Sequence, residues 1–233
     1  MPEVIINGPE GRIEARYHHS TEKNAPAALI LHPHPKHGGT MNNKVTYNLY
    51  KTFVDNGFST LRFNFRGVGK SQGVFDDGIG ELSDAATCLD WLQAQNVDAM
   101  TFWVGGFSFG SWITMQLLMR RPELEGFVAV SPPANMYDFS FLAPCPRSGA
   151  MIQGDQDSIV TEESVSDLSE KLNSQRGIDV DYRVVGGADH FFRDKIEDMN
   201  EHLEDYISSN MEAIRKRGIV RPDRRRRQLP KTS

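Results

Sequence analysis

Apolar residues recur along this chain in two rhythms. Ala27 to Leu31 is continuously apolar, the pattern of a strand buried on both faces. Arg12 to His18 alternates through Ile13, Ala15 and Tyr17, and with Val4 to Ile6 and the turn Asn7 to Gly11 it predicts an N-terminal antiparallel hairpin. Ser59 to Phe65, Gly126 to Val130, Gly149 to Gln153 and Val180 to Val185 predict further strands. Between them the period lengthens. Lys44 to Asn56 reads as a helix stopped by Gly57, Ile79 to Gln95 as a helix with Ile79, Leu82, Ala86, Leu89 and Leu92 on one stripe, and Thr161 to Leu172 as a helix burying Val165, Leu168 and Leu172. Phe192, Ile196, Met199, Leu203, Ile207, Met211 and Ile214 predict a long closing helix. Strand and helix alternate throughout, so the expected fold is α/β: a mostly parallel sheet with helices on both faces.

The stretch Thr101 to Gly110 organises the rest. It is an apolar strand that ends in Gly106-Phe107-Ser108-Phe109-Gly110 and restarts as the apolar segment Ser111 to Met119. A strand turned into a helix within one residue brings positions two before and two after the turn so close that only glycine fits, and it holds the serine hydroxyl outward. The five-letter pattern occurs a second time, at Gly69-Lys70-Ser71-Gln72-Gly73, but Asp76, Asp77 and Gly78 follow it as loop. Only Ser108 lies between a buried strand and a buried helix, and it is the expected nucleophile.

A chain of 233 residues, 39% hydrophobic and 24% charged, is long enough for one large core, expected to span residues 1–217. The net charge of −5 conceals an asymmetry: Arg215 to Ser233 holds nine Lys/Arg and one Asp, or +8, leaving −5 − 8 = −13 on the rest. Residues 218–233 therefore read as a basic tail, solvated or docked on the acidic body or a neighbouring subunit, so a homo-oligomer stays open. No aromatic residue interleaves Arg224 to Arg227, which argues against nucleic acid as partner. No apolar run nears the ~18 residues of a membrane span, and the N-terminus lacks a signal-peptide layout, so the expectation is a cytoplasmic protein without membrane contact. Cys88 and Cys145 show no ligand spacing and read as reduced thiols.

A serine needs a base, and the base an orienting acid. Loops after late parallel strands are where these gather. One such loop carries Asp155 and Asp157; another carries Asp189 and His190, and of the seven histidines His190 alone directly follows a late strand. His32, His34 and His37 invite a metal reading, but Pro33 and Pro35 break the strand that would align them, and no carboxylate lies nearby in sequence. Gly67 to Ser71 imitates the end of a phosphate-binding loop, yet Asn64 stands where its first glycine should be. Neither metal nor cofactor is expected.

Ser108 in its turn, His32 after the third strand, Arg66-Gly-Val-Gly-Lys-Ser-Gln-Gly73, Gly154-x-x-Asp157 and Gly187-Ala-x-His190 together resemble the α/β-hydrolase superfamily, from Ala27 to about Tyr206. The chain is similar to small, lidless serine hydrolases of the dienelactone-hydrolase-like group, particularly a bacterial set with a His-Pro-His-Pro…Gly-Gly-Thr-Met loop. The resemblance implies Ser108 as nucleophile, His190 as base, Asp157 as its acid, and the Phe109 N–H as one oxyanion donor. The second donor should come from the loop His32 to Gly39; Pro33 and Pro35 have no N–H, so His34 is the best remaining donor, with Lys36 behind it. Two departures matter. Dienelactone hydrolases proper use cysteine where Ser108 stands, so their substrate does not carry over, and the superfamily's usual His-Gly is here His32-Pro33. The implied activity is cleavage of a small carboxylic ester or thioester, with a serine peptidase or amidase, or a non-catalytic binding protein of the same fold, as alternatives. The segment Pro132 to Pro146 is too short for a cap, and Tyr137, Phe139, Phe141 and Leu142 are expected to wall the acyl site.

Overall fold

The computed structural model describes residues 3–217, so the basic tail 218–233 lies outside the described residues. Eight strands follow in chain order: β1 (Glu3–Gly8), β2 (Gly11–His18), β3 (Ala27–Leu31), β4 (Ser59–Phe63), β5 (Phe102–Phe107), β6 (Leu124–Val130), β7 (Gly149–Gly154) and β8 (Val180–Val185). They form one sheet in the order β1-β2-β4-β3-β5-β6-β7-β8. The hairpin β1–β2 is antiparallel and joins β4 antiparallel; every other pair is parallel. All strands from β3 onward thus end at one edge of the sheet, where their loops meet.

Among the described residues five α-helices cover the sheet: α1 (Lys44–Asp55), α2 (Ile79–Gln95), α3 (Phe109–Arg120), α4 (Glu162–Asn173) and α5 (Ile196–Arg217). Helices α1 and α5 enclose one core, in which Leu49, Phe53, Met199 and Leu203 meet Trp103, Phe107 and Val128. On the other face α2, α3 and α4 close a second core around Leu89, Ile113, Val165, Leu31, Val104 and Ala129. No helix of the described residues is long and apolar enough to cross a membrane.

Three local expectations are corrected. The stripe predicted for α2 faces inward only at its C-terminal end: Leu89 and Leu92 are buried, but Ile79 is 75% exposed, Leu82 and Ala86 are half-buried, and the buried face is completed by Glu81, Asp84, Ala85 and Cys88. Polar bonding rotates it. Glu81 accepts from the N–H groups of Gly78 and Asp76 at 2.8 and 3.1 Å, and Asp84 takes the Arg66 guanidinium in a fork, Nη2 to Oδ1 at 2.8 Å and Nε to Oδ2 at 3.0 Å. Strand β4 stops at Phe63 instead of Phe65: Asn64 N still donates to the Glu14 carbonyl of β2, but Phe65 N turns to the His32 ring. The closing helix starts at Ile196 instead of Phe192, since Phe192 and Asp194 hold positive φ of 51° and 57°.

Arg66 and Asp84 are 6% and 1% exposed, and they tie the loop after β4 to α2. Removing one member of such a pair strands the other charge in the interior. Asp84→Ala should therefore cost about 3–5 kcal/mol in urea unfolding, several times the effect of truncating the exposed Lys51–Asp55 pair.

Candidate active site

Ser108 is the only residue between β5 and α3, with φ 53° and ψ −122°. Such a conformation persists only where the surroundings enforce it. Here packing does so: a Cβ on Gly106 would lie 2.4 Å from the Gly110 backbone, and a Cβ on Gly110 would lie 2.5 Å from the carbonyl oxygens of Leu31 and His32. Helix α3 consequently begins in direct contact with the end of β3. Of its first N–H groups, those of Ser111 and Trp112 donate to the Ser108 carbonyl at 2.8 and 3.3 Å, and those of Phe109 and Gly110 precede the first intrahelical bond.

His190, in the turn after β8, reaches Ser108. Its Nε2 lies 3.1 Å from Ser108 Oγ and its Nδ1 lies 2.7 Å from Asp157 Oδ2, with all three residues at most 8% exposed. The Phe107 ring backs the imidazole at 5.0 Å. Asp157 Oδ1 accepts from the N–H groups of Ile159 and Val160, both at 2.8 Å, and Oδ2 also accepts from Gln153 Nε2 at 3.1 Å. Burial alone would raise the Asp157 pKa; the bond and attraction of His190, then the two backbone N–H groups, outweigh it and hold the carboxyl below its usual range. An ionised Asp157 can only accept, so Nδ1 carries the proton toward it, and the lone pair on Nε2 faces the Ser108 hydroxyl.

The other carboxylates of these loops are occupied elsewhere. Asp155 Oδ1 accepts from Gly187 N at 2.7 Å, and Asp189 Oδ1 from the N–H groups of Phe191 and Arg193. Gln153, fully buried beside Asp157, drew no notice in the sequence because an amide inside a strand has no pattern of its own. Its Nε2 also donates to the Val160 carbonyl at 2.8 Å and so fixes the loop that carries Asp157. Ser71, of the second five-letter pattern, is buried and bonded on both sides, accepting from Glu14 N at 2.9 Å and donating to the Asn64 carbonyl at 2.7 Å.

The three loop histidines do different things. His32 is fully buried: Nε2 accepts from Phe65 N at 3.0 Å, so Nδ1 carries the hydrogen and donates to the Pro33 carbonyl at 2.6 Å. Desolvation drops its pKa to about 3. His34 is half-buried and its ring lies 4.9 Å from Phe109 and 4.5 Å from His37. Burial first, then the neighbouring His37 and Lys36, lower its pKa. Among the described residues no three metal-ligating side chains converge.

The aromatic surface beside Ser108 differs from the expected wall. Tyr137 stacks on Trp112 at 4.4 Å and meets Phe109 edge-on at 6.0 Å, and Phe75 continues the row to His34 at 4.8 Å. Phe139 and Leu142 are 7% and 1% exposed and belong to the core under α3, with Phe141 stacked on Phe139 at 6.0 Å. Of the four expected wall residues only Tyr137 joins this row of rings. Met136, Ile159 and Phe191 are exposed around the same mouth; the Asn135 amide donates to the Ile159 carbonyl at 2.9 Å, and Phe191 flanks His190 at 5.2 Å. A separate cleft, lined by Ser20, Asn24, Ser59, Asn96 and Ala99, lies at the opposite edge of the sheet, where β3, β4 and β5 begin.

A family model described as X-Pro dipeptidyl-peptidase (S15 family) matches residues 12–213. Among solved structures, a protein of unknown function from Agrobacterium tumefaciens, described as an α/β hydrolase, is 56% identical with a TM-score of 0.89, over 91% of this chain and 97% of that one. A Xanthomonas campestris protein described as an α/β serine hydrolase without lid is 30% identical with a TM-score of 0.80, over 89% of this chain and 94% of that one. A curated relative, lysophosphatidylserine lipase of Rattus norvegicus, is 26% identical over 196 residues, 84% of this chain; the match spans 41% of that protein's length.

The state of His32 is open to measurement. Its folded pKa lies far below the 6.5 of an unfolded chain, so between these values the unfolded chain binds a proton that the folded one refuses, and stability falls as pH drops through 6.5. From pH 7.5 to 5.0 the stability gap between wild type and His32→Leu should narrow by about 2 kcal/mol, at about 1.4 kcal/mol per pH unit below 6.5. Urea titrations at the two pH values read it; a constant gap would show that the ring is not held neutral.

Proposed function

Because the chain belongs to the α/β-hydrolase superfamily, and within it to the family described as X-Pro dipeptidyl-peptidase (S15 family), we propose that it is a serine hydrolase cleaving a small carboxylic ester or thioester through an acyl-enzyme. The observation that carries this reading is the continuous line from Ser108 Oγ through His190 to Asp157, at 3.1 and 2.7 Å. In the proposed cycle His190 Nε2 takes the Ser108 proton as Oγ attacks the acyl carbon, and Asp157 stabilises the imidazolium. The proton then passes to the departing alcohol or thiol, and water, activated by the same imidazole, releases the acid. The N–H groups of Phe109 and His34 are proposed to face the oxyanion. Within the His32–Gly39 loop the N–H groups of Lys36, His37 and Gly39 already have partners, at 3.1, 3.1 and 3.0 Å, which favours His34. No cofactor enters this scheme.

The family description favours a second reading, an amidase or peptidase using the same residues. Amide cleavage asks more of leaving-group protonation and of a site that grips both sides of the bond. The connection beside this mouth carries no helical cap: residues 131–148, between β6 and β7, hold one short 3-10 turn, Ser140–Leu142. An open mouth suits small esters better.

A fluorophosphonate probe should label wild type and Ser71→Ala but not Ser108→Ala. Turnover of p-nitrophenyl acetate should fall on the order of 10⁶-fold in Ser108→Ala and about 10⁴-fold in Asp157→Asn, while Asp155→Asn stays near wild type. Labelling that survives Ser108→Ala would remove the assignment, and preferential hydrolysis of Gly-Pro-p-nitroanilide would select the peptidase reading. Over a series of p-nitrophenyl esters kcat/KM should peak at roughly two to six acyl carbons, since each methylene gains at most ~0.8 kcal/mol and only while the aromatic row covers it. Efficiency still climbing at twelve carbons would point to a tunnel that an uncapped mouth lacks.

A further inference from the structure

The second Gly-x-Ser-x-Gly segment, Gly69 to Gly73, has no part in the proposed chemistry, yet it closes a buried polar cluster outside the site. At its centre is Asn64, 3% exposed, whose polar groups are all engaged. Its backbone N–H donates to the Glu14 carbonyl at 2.8 Å, and its backbone carbonyl accepts from Ser71 Oγ at 2.7 Å. Its Nδ2 donates to Glu14 Oε2 at 2.9 Å, and its Oδ1 accepts from Met41 N at 2.8 Å. Glu14 Oε2 also accepts from Lys70 N at 2.9 Å, and Gln72 is laced to Arg12 on β2 by two bonds of 2.8 Å. Gly69, at φ +58°, is needed for closure: a Cβ there would lie 2.5 Å from Glu14 Oε2 and 2.6 Å from Asn64 Nδ2. None of these groups touches Ser108, His190 or Asp157. What the cluster does touch is Met41, at the far end of the His-Pro-His-Pro loop.

Internal bonds shape the middle of that loop, where His37 N and Gly39 N donate to the His34 carbonyl at 3.1 and 3.0 Å. Two prolines remove donors from its first half. Its ends are gripped by three residues at and just beyond the end of β4: Phe65 N holds the His32 ring, Asn64 holds Met41 N, and Arg62 Nη1 donates to the Met41 carbonyl and to Asn42 Oδ1. Arg62 is itself fixed between the rings of Tyr47 and Tyr50, at 5.0 and 5.1 Å.

We propose that Asn64, locked by Glu14 and Ser71, is a positioning residue that sets the loop carrying the His34 N–H, so that the second Gly-x-Ser-x-Gly segment serves the oxyanion site as its support. The inference rests on the hydrolase reading for its catalytic consequence and on the hydrogen bonds alone for the anchoring. The amide matters by its polarity: one end must accept from Met41 and the other must donate to a carboxylate. A fault here would shift the loop by a fraction of an ångström, enough to weaken transition-state binding while leaving ground-state binding nearly intact.

The test uses the full chain, with active sites counted by fluorophosphonate titration. Asn64→Asp keeps the acceptor for Met41 but sets two carboxylates face to face. It should lower kcat per titrated site about 10- to 100-fold with KM within about threefold, and weaken a trifluoromethyl ketone inhibitor by the same factor as kcat/KM. Adding Glu14→Gln restores a donor opposite the acid and should recover most of both losses. Ser71→Ala, a milder change should Asn64→Asp fold poorly, should move the same quantities a few-fold in the same direction. Backbone hydrogen exchange of residues 34–43 should quicken in both single variants and return in the double variant. Unchanged exchange in that segment, or unchanged kcat per site with quickened exchange, overturns the positioning role. Quickened exchange in a protein whose wild type binds no trifluoromethyl ketone and turns over no ester would keep the anchor and reject the hydrolase reading.

Discussion

The site depends on one close approach: the backbone of Gly110, in the first turn of α3, resting against the carbonyl oxygens of Leu31 and His32. That contact fixes the entry of α3, and with it the conformation of Ser108 and the direction of the N–H groups after it. It also brings the end of β3 beside Ser108, so the loop that leaves β3 begins next to that residue. Residues on two non-consecutive elements are thereby set within one small volume by sterics alone, before any polar group has found a partner.

Polar bonding then completes what packing begins, and it does so in two separate systems. One runs outward from Ser108 through His190 and Asp157 to Gln153 and the backbone of Ile159 and Val160. The other runs from β2 through Glu14, Asn64 and Ser71 to Met41. They approach each other only across the loop His32 to Asn43. They differ in completeness: Asn64 has a partner for each of its polar groups, whereas Gln153 Oε1 is buried without one among the described residues, at a cost that its Nε2 bonds to Asp157 and Val160 must offset.

Strands and helices were legible because their apolar periods are strong, and the turn around Ser108 was legible because its glycines answer to a steric demand that acts within five residues. His190 could be picked out by its place after a late strand. Asp157 could be separated from Asp155 only through the family resemblance, since the two differ in what their loops fold against, and that is invisible in one dimension. The rotated face of α2 was illegible for a related reason: Glu81 and Asp84 read as solvent-facing until Arg66, Gly78 and Asp76 are seen to need them. The wall beside Ser108 failed at Phe139 and Leu142 because apolarity alone does not say whether a ring lines a mouth or fills a core. Asn64 and Ser71 sat in a motif-like string, and only their partners reveal what that string supports.

The position of His190 has a kinetic side. It follows β8, which is hydrogen-bonded to the sheet along one flank only, whereas Ser108 follows β5 in the middle. Strands at the margin of a sheet open through smaller, cheaper excursions than central ones. An excursion that lifts β8 with the start of α5 would carry the imidazole away while β5, α3 and both cores stayed folded. In rising denaturant, the Ser108–His190 contact should thus disappear in a sub-global step that precedes loss of the core, so that inactivation and unfolding would trace different curves.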